Sequence, residues 1–373
     1  MSSPRIEVDL GKIRHNTRII VGRLRSRGIR TTGVTKAVCG DPAIARAMLD
    51  GGAAGLAEAR LSNVQRLRNA GVTSSITLIR TPMLSQADDV VEACEASYNT
   101  ELPVITALAA AAIRQNKVHG ILLMVEMGDL REGVIPQDLA KIARQVVDLP
   151  GVALKGIGAN FACLSSIAPT AAKMRDLSAL ANDVEGQCGP VLHTISGGNS
   201  ANLSWALGEL PSGRINDLRL GEAILLGVDP ICGRQIGGMY HDAFTLVAEV
   251  IETHAEPLSP TINFSDPALA KLHLVPKNET GTRAILAIGH QDTDISGLSL
   301  PHGNTLIGAT SDHLIVCTKD ATLRAGAEMR FQMNYSALMR AMAAPDIQTN
   351  LLHNRPPPDV RDFYSPNKHL AWV

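Results

Sequence analysis

The chain is poor in aromatic residues: Phe, Trp and Tyr together make up 3% of its 373 residues. Proteins that bind single-stranded nucleic acids stack the bases on aromatic side chains and carry excess positive charge that attracts the phosphates. The formal net charge of this chain is −1. We therefore expect no nucleic-acid partner and no electrostatic attraction to an anionic membrane surface.

Long uncharged apolar stretches are missing as well. No window of about 18 apolar residues is free of charged side chains, so the sequence predicts no membrane-spanning helix. The N-terminal segment MSSPRIEVDLGKIRHN alternates in charge and lacks the apolar core of a signal peptide. The six cysteines are scattered and none forms a CxxC pair, which is typical of reduced thiols. These features predict a cytoplasmic globular protein.

Short apolar runs alternate with amphipathic stretches from residue 30 to about residue 230. Eight of the runs are candidate strands, and between them apolar residues recur every three to four positions, as on one face of a helix. Eight strand–helix alternations predict a (β/α)8 TIM barrel, with a doubly wound open sheet as the alternative. The candidate strands are TTGVTKAV, GAAGLAEA, SITLIRT, EASYNT, GILLMVEMG, LKGIGANF, VLHTISGG and DLRLGEAILLG.

The pattern changes after about residue 240, where strand-like segments are separated by Gly, Pro, Asn and Asp. This pattern predicts a C-terminal all-β domain. We place residues 1–235 in the barrel and residues 236–373 in the β-domain, which ends in a Pro-rich tail. The segment RIEVDL precedes the barrel, so residues 1–12 are candidates to pair with the β-domain.

Polar residues at the carboxyl ends of the barrel strands mark the place where such barrels carry their active sites. Lys36 follows the first strand, within GVTKAVCGD, and has apolar or small neighbours. A lysine held out of water has a lowered pKa, and its neutral amine attacks carbonyl groups. A Schiff base with a substrate carbonyl or with pyridoxal 5′-phosphate (PLP) is its natural use. A lysine that reaches out into solvent is the alternative.

Two glycine-bearing turns provide a candidate anion site. SGGNSANLSWAL, from Ser196 to Leu207, places glycines and hydroxyls before a helix start, and RLGEA, from Arg219 to Ala223, follows the next strand. Backbone N–H groups at helix N-termini bind phosphates, and barrels often use the loops after strands 7 and 8 for this purpose. An ordinary Asn or Ser helix cap is the alternative interpretation of the first turn.

Together these features resemble the PLP-dependent alanine racemase family, and in particular its ornithine racemase branch. The resemblance extends over nearly the whole chain. It implies a PLP-binding barrel, a β-domain that completes the site, and a head-to-tail homodimer with a shared active site. The segments that carry it are VTKAVCGD, REG, GANFACLSSIAPT, SGGNSANL, LRLGEAILLG, LAIGHQD, GATSDH and MNYSALMRAM.

The resemblance also implies roles for individual residues. Lys36 would hold PLP covalently and act as one catalytic base, and Arg219 would face the pyridine nitrogen. Because arginine does not give up its proton, that nitrogen would stay unprotonated and the ring would be a weaker electron sink. Residues implied to contact the cofactor are Lys36, Asn160, Ser196, Asn199, Ser200, Arg219, Gly221, Glu222 and Tyr335. Residues implied near the substrate are Arg131, Ser311 and Asp312, and Asp292 is a further candidate that the resemblance does not itself imply.

Three positions depart from the alanine racemase pattern. No tyrosine follows Lys36, because the segment reads KAVCGD, and Asn160 stands where the family has a histidine. GHQD replaces the turn that carries a tyrosine as the second catalytic base, which places His290 at that position. Imidazole exchanges protons near neutral pH, so the replacement is chemically reasonable. A surface histidine in a β-turn is the alternative interpretation of His290.

The resulting hypothesis is two-base racemisation of a basic amino acid, ornithine or lysine, by Lys36 and His290, with no metal ion. An ammonium tail on the substrate requires a nearby carboxylate. Candidates for this carboxylate are Asp292, Asp312 and Glu222. Alanine or serine is the alternative substrate.

Two other classes of function stay open. The first is a PLP-binding regulatory protein without turnover, although such relatives are single barrels and have no β-domain. The second is a metal-assisted D-amino-acid lyase, for which His313 and Cys317 are the candidate ligands. These two residues lie four positions apart in a candidate strand, a separation of about 13 Å, which is too far for one ion.

Overall fold

The computed structural model describes residues 4–165, 168–189, 191–254 and 281–352. These residues divide into two compact units. The barrel unit comprises residues 10–36, 40–165, 168–189 and 191–241, and the β unit comprises residues 4–9, 37–39, 242–254 and 281–352. The Pro-rich tail, from Asn354 onward, lies outside the described residues.

The chain opens with strand β1 (Arg5–Asp9), and helix α1 (Leu10–Arg25) follows directly. Side chains alternate between the two faces of a strand, and Ile6 and Val8 are both fully buried on one face of β1. β1 pairs antiparallel with residues 244–247 and parallel with residues 348–352. The first strand of the chain is therefore part of the β unit.

Eight parallel strands close into a barrel in chain order, and the eighth pairs with the first. The predicted (β/α)8 barrel is thereby confirmed. Two predicted strands end earlier than expected, because Lys36–Val38 forms a 3₁₀-helix and Glu222–Leu226 an α-helix. The barrel strands are β2 (Arg30–Val34), β3 (Gly55–Glu58), β4 (Ile76–Leu78), β5 (Ala96–Asn99), β6 (His119–Val125), β7 (Val152–Ala159), β8 (Thr194–Ser196) and β9 (Asp217–Leu220).

Each barrel strand is followed by a helix, so both faces of the strands are covered. This explains why β6 reads HGILLMV and is buried at every position. The helices are α2 (Pro42–Asp50), α3 (Leu61–Asn69), α4 (Ala87–Ala93), α5 (Leu102–Arg114), α6 (Leu139–Val147), α7 (Ala171–Cys188), α8 (Leu203–Ala206) and α9 (Glu222–Leu226).

The β unit contains an eight-stranded sheet, which confirms the predicted C-terminal β architecture. Phe244, Leu246 and Ala248 alternate along β10 and are at most 1% exposed, and they form one face of its core with Phe331. Helix α10 was not expected from the strand-like pattern. The remaining elements are β10 (Phe244–His254), β11 (Thr282–Leu286), β12 (Leu298–Ser299), β13 (Asn304–Ala309), β14 (Leu314–Thr318), β15 (Glu328–Met333), α10 (Tyr335–Ala343) and β16 (Gln348–Leu352).

Among the helices of the described ranges, none combines the length and the apolar character that crossing a membrane requires.

Candidate active site

Lys36 lies at the carboxyl end of β2, where the strand passes into a 3₁₀-helix. Two contacts fix the residue before it. The Thr35 N–H donates to the Ala57 carbonyl oxygen at 3.1 Å, and Thr35 Oγ1 donates to Glu58 Oε2 at 2.8 Å. Both partners end β3, so the two neighbouring strands hold the backbone from which the Lys36 side chain projects.

The chain turns sharply after Lys36. Cys39 and Gly40 have φ angles of 51° and 64°, in the left-handed region. A β-carbon at Gly40 would lie 2.8 Å from both Cβ and O of Asn63, so only glycine fits there. Asp41 then accepts the N–H of the second residue of α2 at 2.8 Å and starts the helix. The segment GVTKAVCGD is therefore a strand end, a turn and a helix cap in succession.

The Lys36 side chain is exposed, but nearby protein atoms still partly desolvate its amine. This desolvation lowers the pKa of Lys36, and the positive charges of Arg131 and Arg219 lower it further. Cys163 and the carboxylate of Glu58 act in the opposite direction. Because desolvation dominates, the neutral, nucleophilic amine is present at a lower pH than in an ordinary lysine, and reagents have access to it.

We expect Lys36 to react with an amine-directed reagent at lower pH than an ordinary lysine, since only the neutral amine reacts. Brief acetylation of cofactor-free protein across a pH series, read by peptide mass spectrometry, measures this, with the exposed Lys141 on α6 as internal reference. Glu58→Gln removes a charge that raises the pKa of Lys36, so it should shift the onset lower still. An onset for Lys36 at or above that of Lys141 would contradict the desolvation.

Arg219, on β9, is a buried cation of the barrel interior and is 4% exposed. Its Nη1 donates to Tyr98 Oη at 2.9 Å and to Ser196 Oγ at 2.6 Å. Its Nη2 donates to the Ala159 carbonyl oxygen at 2.8 Å and to Asn160 Oδ1 at 2.7 Å. All four terminal N–H groups thus have acceptors, whereas the Nε–H of Arg219 has none within the described residues.

Asn160 connects Arg219 to the loop that carries Arg131. Asn160 Nδ2 donates to Glu132 Oε1 at 3.0 Å, and Arg131 Nη2 donates to the same oxygen at 2.6 Å. The Arg131 and Glu132 side chains are 37% and 28% exposed, so both reach solvent. A substrate carboxylate at Arg131 would therefore share the guanidinium with Glu132, and the predicted substrate contact stays a prediction.

The loop after β8 is hydrogen-bonded to the start of α9. Asn199 Oδ1 accepts the Ala201 N–H at 3.1 Å, so the alternative interpretation of Asn199 as a helix cap applies. Ser200 is 5% exposed, and its Oγ accepts the Ala223 N–H at 3.3 Å. The two glycine-bearing turns predicted as an anion site are therefore adjacent. Ser196 is fully buried, and a contact between this residue and the cofactor stays a prediction.

Gly221 and Glu222 lie at the same end of the barrel as Lys36. A β-carbon at Gly221 would come within 3.2 Å of Cβ and O of Val34, the last residue of β2, so this turn packs against the strand that leads to Lys36. Desolvation raises the pKa of the half-buried Glu222, and the charge of Lys36 opposes that rise. The predicted lysine and the predicted phosphate turns are thus brought together.

The β unit brings the predicted residues of its two loops together. The His290 N–H donates to the Thr310 carbonyl oxygen at 2.9 Å, and the His290, Ser311 and Asp312 side chains are exposed. A β-carbon at Gly289 would lie 2.3 Å from the Asp312 nitrogen, so the loops touch. An exposed position agrees with both interpretations of His290, as a base and as a surface residue.

The two carboxylates of these loops already have internal partners. Asp292 Oδ2 accepts the Gly289 N–H at 2.8 Å, and Asp312 Oδ1 accepts Ser311 Oγ at 2.7 Å. Tyr335 is half-buried and begins α10. The predicted cofactor contact of Tyr335 and the predicted ammonium contacts of both carboxylates stay predictions.

Several polar residues next to the site were missed in the sequence. Asp217 stands two residues before Arg219, and side chains two apart in a strand share a face. That spacing could have identified Asp217 from the sequence. Tyr98 could have been identified because its candidate strand, EASYNT, is unusually polar for a barrel strand. Glu58, at the end of β3, and Glu132, in the loop after β6, gave no signal, since acidic residues at such places are usually solvated charges.

A cavity of about 280 Å³ opens at the amino ends of the barrel strands. Its lining includes Arg30 and Lys155 near the opening and Asp217 and Arg219 deeper inside. This is the end of the barrel opposite Lys36, so the cavity is not the predicted active site.

Comparisons with known proteins agree with this geometry. Residues 8–230 match the profile of the alanine racemase N-terminal domain. The ornithine racemase of Acetoanaerobium sticklandii is 34% identical, over 94% of this chain and 99% of the relative. The lysine racemase of Thermotoga maritima is 33% identical, over 93% of this chain and 98% of the relative.

Solved structures show the same fold at lower identity. The alanine racemase of Streptomyces lavendulae has a TM-score of 0.73 at 18% identity, covering 95% of this chain and 99% of the other. The D-threonine aldolase of Filomicrobium marinum has a TM-score of 0.71 at 16% identity, covering 93% and 90%. With a family profile over more than half of its length and relatives above 30% identity along nearly all of it, this chain belongs to the alanine racemase family.

Proposed function

We propose that this protein is a PLP-dependent racemase that interconverts the L and D enantiomers of ornithine or lysine. Relatives named ornithine racemase and lysine racemase, similar over more than nine tenths of the chain, support this substrate class. The structural observation that carries the proposal is the combination of Lys36, whose pKa is lowered by desolvation, with a buried Arg219 that keeps one N–H donor without an acceptor among the described residues.

The residues present fit PLP. Lys36 offers a nucleophilic amine for its aldehyde, and the Nε–H of Arg219 has no acceptor among the described residues. A pyridine nitrogen would supply that acceptor. The first N–H groups of a helical turn have no acceptor within the turn, so Ser200, Gly221 and Glu222 would hold the phosphate. When bound, PLP supplies a carbonyl for the substrate amine and an electron sink for the Cα carbanion.

Racemisation requires proton transfer at both faces of Cα. Lys36 serves one face, because its lowered pKa makes the neutral amine available as a base. His290 of the partner subunit serves the other face in a homodimer, and imidazole suits this role near neutral pH. Arg131 orients the substrate carboxylate while Glu132 holds the guanidinium in place.

The ammonium tail of the substrate would contact Glu222, Asp292 or Asp312. Glu222 lies near Lys36, whose charge acts on its carboxyl group. The other two carboxylates belong to the loops that also carry His290. We also propose a cytoplasmic location, supported by six cysteines that are all free thiols.

A polarimetric panel tests the proposed function. We expect the optical rotation of L-ornithine or L-lysine to decay to zero with added PLP, at least about tenfold faster than that of L-alanine or L-serine. Protein freed of cofactor by hydroxylamine and dialysis is the matched control and should be inactive until PLP is restored. Faster turnover of alanine would reassign the substrate, and no loss of rotation with any amino acid would favour a regulatory protein.

The lyase alternative depends on His313 and Cys317. Within the described ranges, no group of three or more His, Cys, Asp or Glu side chains is arranged to hold a metal ion. The likeness to D-threonine aldolase, at 16% identity, shows the fold alone. Formation of an aldehyde or keto acid that EDTA abolishes would indicate a lyase, whereas racemisation unaffected by EDTA would support the proposed function.

A further inference from the structure

We propose that Ser196 and Asp217 are positioning residues that aim the Nε–H of Arg219 at the cofactor. This inference rests on the proposed function, because it takes the pyridine nitrogen of PLP as the acceptor. It concerns two side chains that lie beneath Arg219 in the barrel interior and need no contact with substrate.

The three residues form one hydrogen-bonded line across β8 and β9. Ser196 and Asp217 are register partners on these neighbouring strands. Asp217 Oδ2 accepts the Ser196 hydroxyl at 2.6 Å, and Ser196 Oγ accepts Arg219 Nη1 at 2.6 Å. Ser196 is 0% exposed and Asp217 5% exposed, so water competes little for these contacts.

The direction of these hydrogen bonds is fixed by Asp217. An ionised carboxylate only accepts hydrogen bonds, and this one accepts Ser196 at one oxygen and Thr32 Oγ1 at the other, the latter at 2.7 Å. The hydroxyl proton of Ser196 is thereby committed to Asp217, and its lone pairs face Arg219. The negative charge of Asp217 also offsets the buried positive charge of Arg219, to which it is linked through the Ser196 hydroxyl.

The remaining contacts of Arg219 complete the set of hydrogen-bond partners that holds its guanidinium, which we call the clamp. Tyr98 Oη accepts from the same nitrogen as Ser196, and the guanidinium carbon lies 4.5 Å from the Tyr98 ring centroid. Ala159 and Asn160 hold the other terminal nitrogen. Since a guanidinium is planar, fixing both terminal nitrogens also fixes the direction of the Nε–H.

Substitutions at the two residues therefore disturb Arg219 in different ways. Ser196→Ala removes one acceptor and frees the guanidinium to tilt. Asp217→Asn removes the negative charge and replaces one of the two accepting oxygens with a donor, so the direction of the Ser196 hydroxyl proton is no longer fixed. Ser196→Thr keeps the hydroxyl and should preserve the line.

The experiment measures PLP affinity of the cofactor-free protein by absorbance titration, together with kcat, KM and the thermal midpoint of each variant. We expect Ser196→Ala and Asp217→Asn to weaken PLP binding about tenfold and to lower kcat about 10- to 100-fold, with KM changed less than about threefold. Ser196→Thr should return to within about threefold of wild type. Ser178→Ala is the matched control, because its hydroxyl contacts Met174 and Arg214 and not Arg219.

If the two residues only stabilise the fold, their variants should have lower thermal midpoints but wild-type PLP affinity and an unchanged ratio of kcat to KM. That result would overturn the proposal. PLP affinity in Ser196→Ala equal to that of Ser178→Ala would also overturn it. If Ser196→Ala does not fold, Asp217→Asn gives the same readouts. If wild-type protein binds PLP but racemises nothing, the proposed function fails, while weaker PLP binding by the two variants would still support the positioning role.

Discussion

Replacing Lys36 with alanine is expected to lower racemisation by at least about 10³-fold and to remove the covalent attachment of the cofactor. One side chain serves two purposes in the proposed function, as the amine that attaches PLP and as the base on one face of Cα. Neither Arg131 nor Arg219 can replace the amine, since a guanidinium side chain offers no nucleophilic amine. The rate of loss of optical rotation from L-ornithine or L-lysine measures the effect.

Lys141→Ala, at an exposed position on α6, is the matched control and should keep wild-type activity. Thermal midpoints of the two variants should agree within a few degrees, because the Lys36 side chain reaches solvent and is not part of the core. Retention of more than a tenth of wild-type activity by Lys36→Ala would show that another group attaches the cofactor.

His290→Ala is expected to lower racemisation about 10²- to 10⁴-fold while leaving proton exchange on one face intact. Without the second base, Lys36 still removes and returns the Cα proton on its own face. One enantiomer should therefore exchange its α-proton for deuterium without inversion, and the other should not react. Proton NMR of each enantiomer in deuterium oxide separates these outcomes.

His302→Ala, an exposed histidine of the same unit, is the control for His290→Ala. Mixing Lys36→Ala with His290→Ala protein provides a second test, because subunit exchange in a homodimer with shared sites creates one intact site per heterodimer. Activity that returns on mixing would support the shared site. Wild-type racemisation by His290→Ala alone would leave His290 as the surface residue of the alternative interpretation.

The architecture could be predicted because barrel and β-sheet leave different periodic patterns. Buried parallel strands read as apolar runs, and each of the eight runs overlaps a strand. Helix α2 begins at Pro42 because Asp41 and the proline are recognisable start signals. The prediction was wrong at Glu222–Leu226, which is mostly apolar like a strand but forms a helix that begins after Gly221.

The site could be predicted only in part, because sequence spacing gives positions and not partners. Lys36 and the two glycine-bearing turns were found since each stands at a strand end. The clamp around Arg219 could not be found, because Tyr98, Asn160 and Ser196 come from three other strands or strand ends. The pairing of Arg131 with its neighbour Glu132 was also invisible, since adjacent opposite charges are common on surfaces.

Borohydride reduction of the PLP-loaded protein, followed by peptide mapping, tests the role of Lys36 most directly. Reduction fixes the cofactor to the amine that carries it, and the peptide that contains Lys36 is readily assigned. We predict a reduced phosphopyridoxyl group on Lys36 in stoichiometric yield, with none on Lys141. An unmodified Lys36, or a cofactor fixed to a different lysine, would contradict the central assignment.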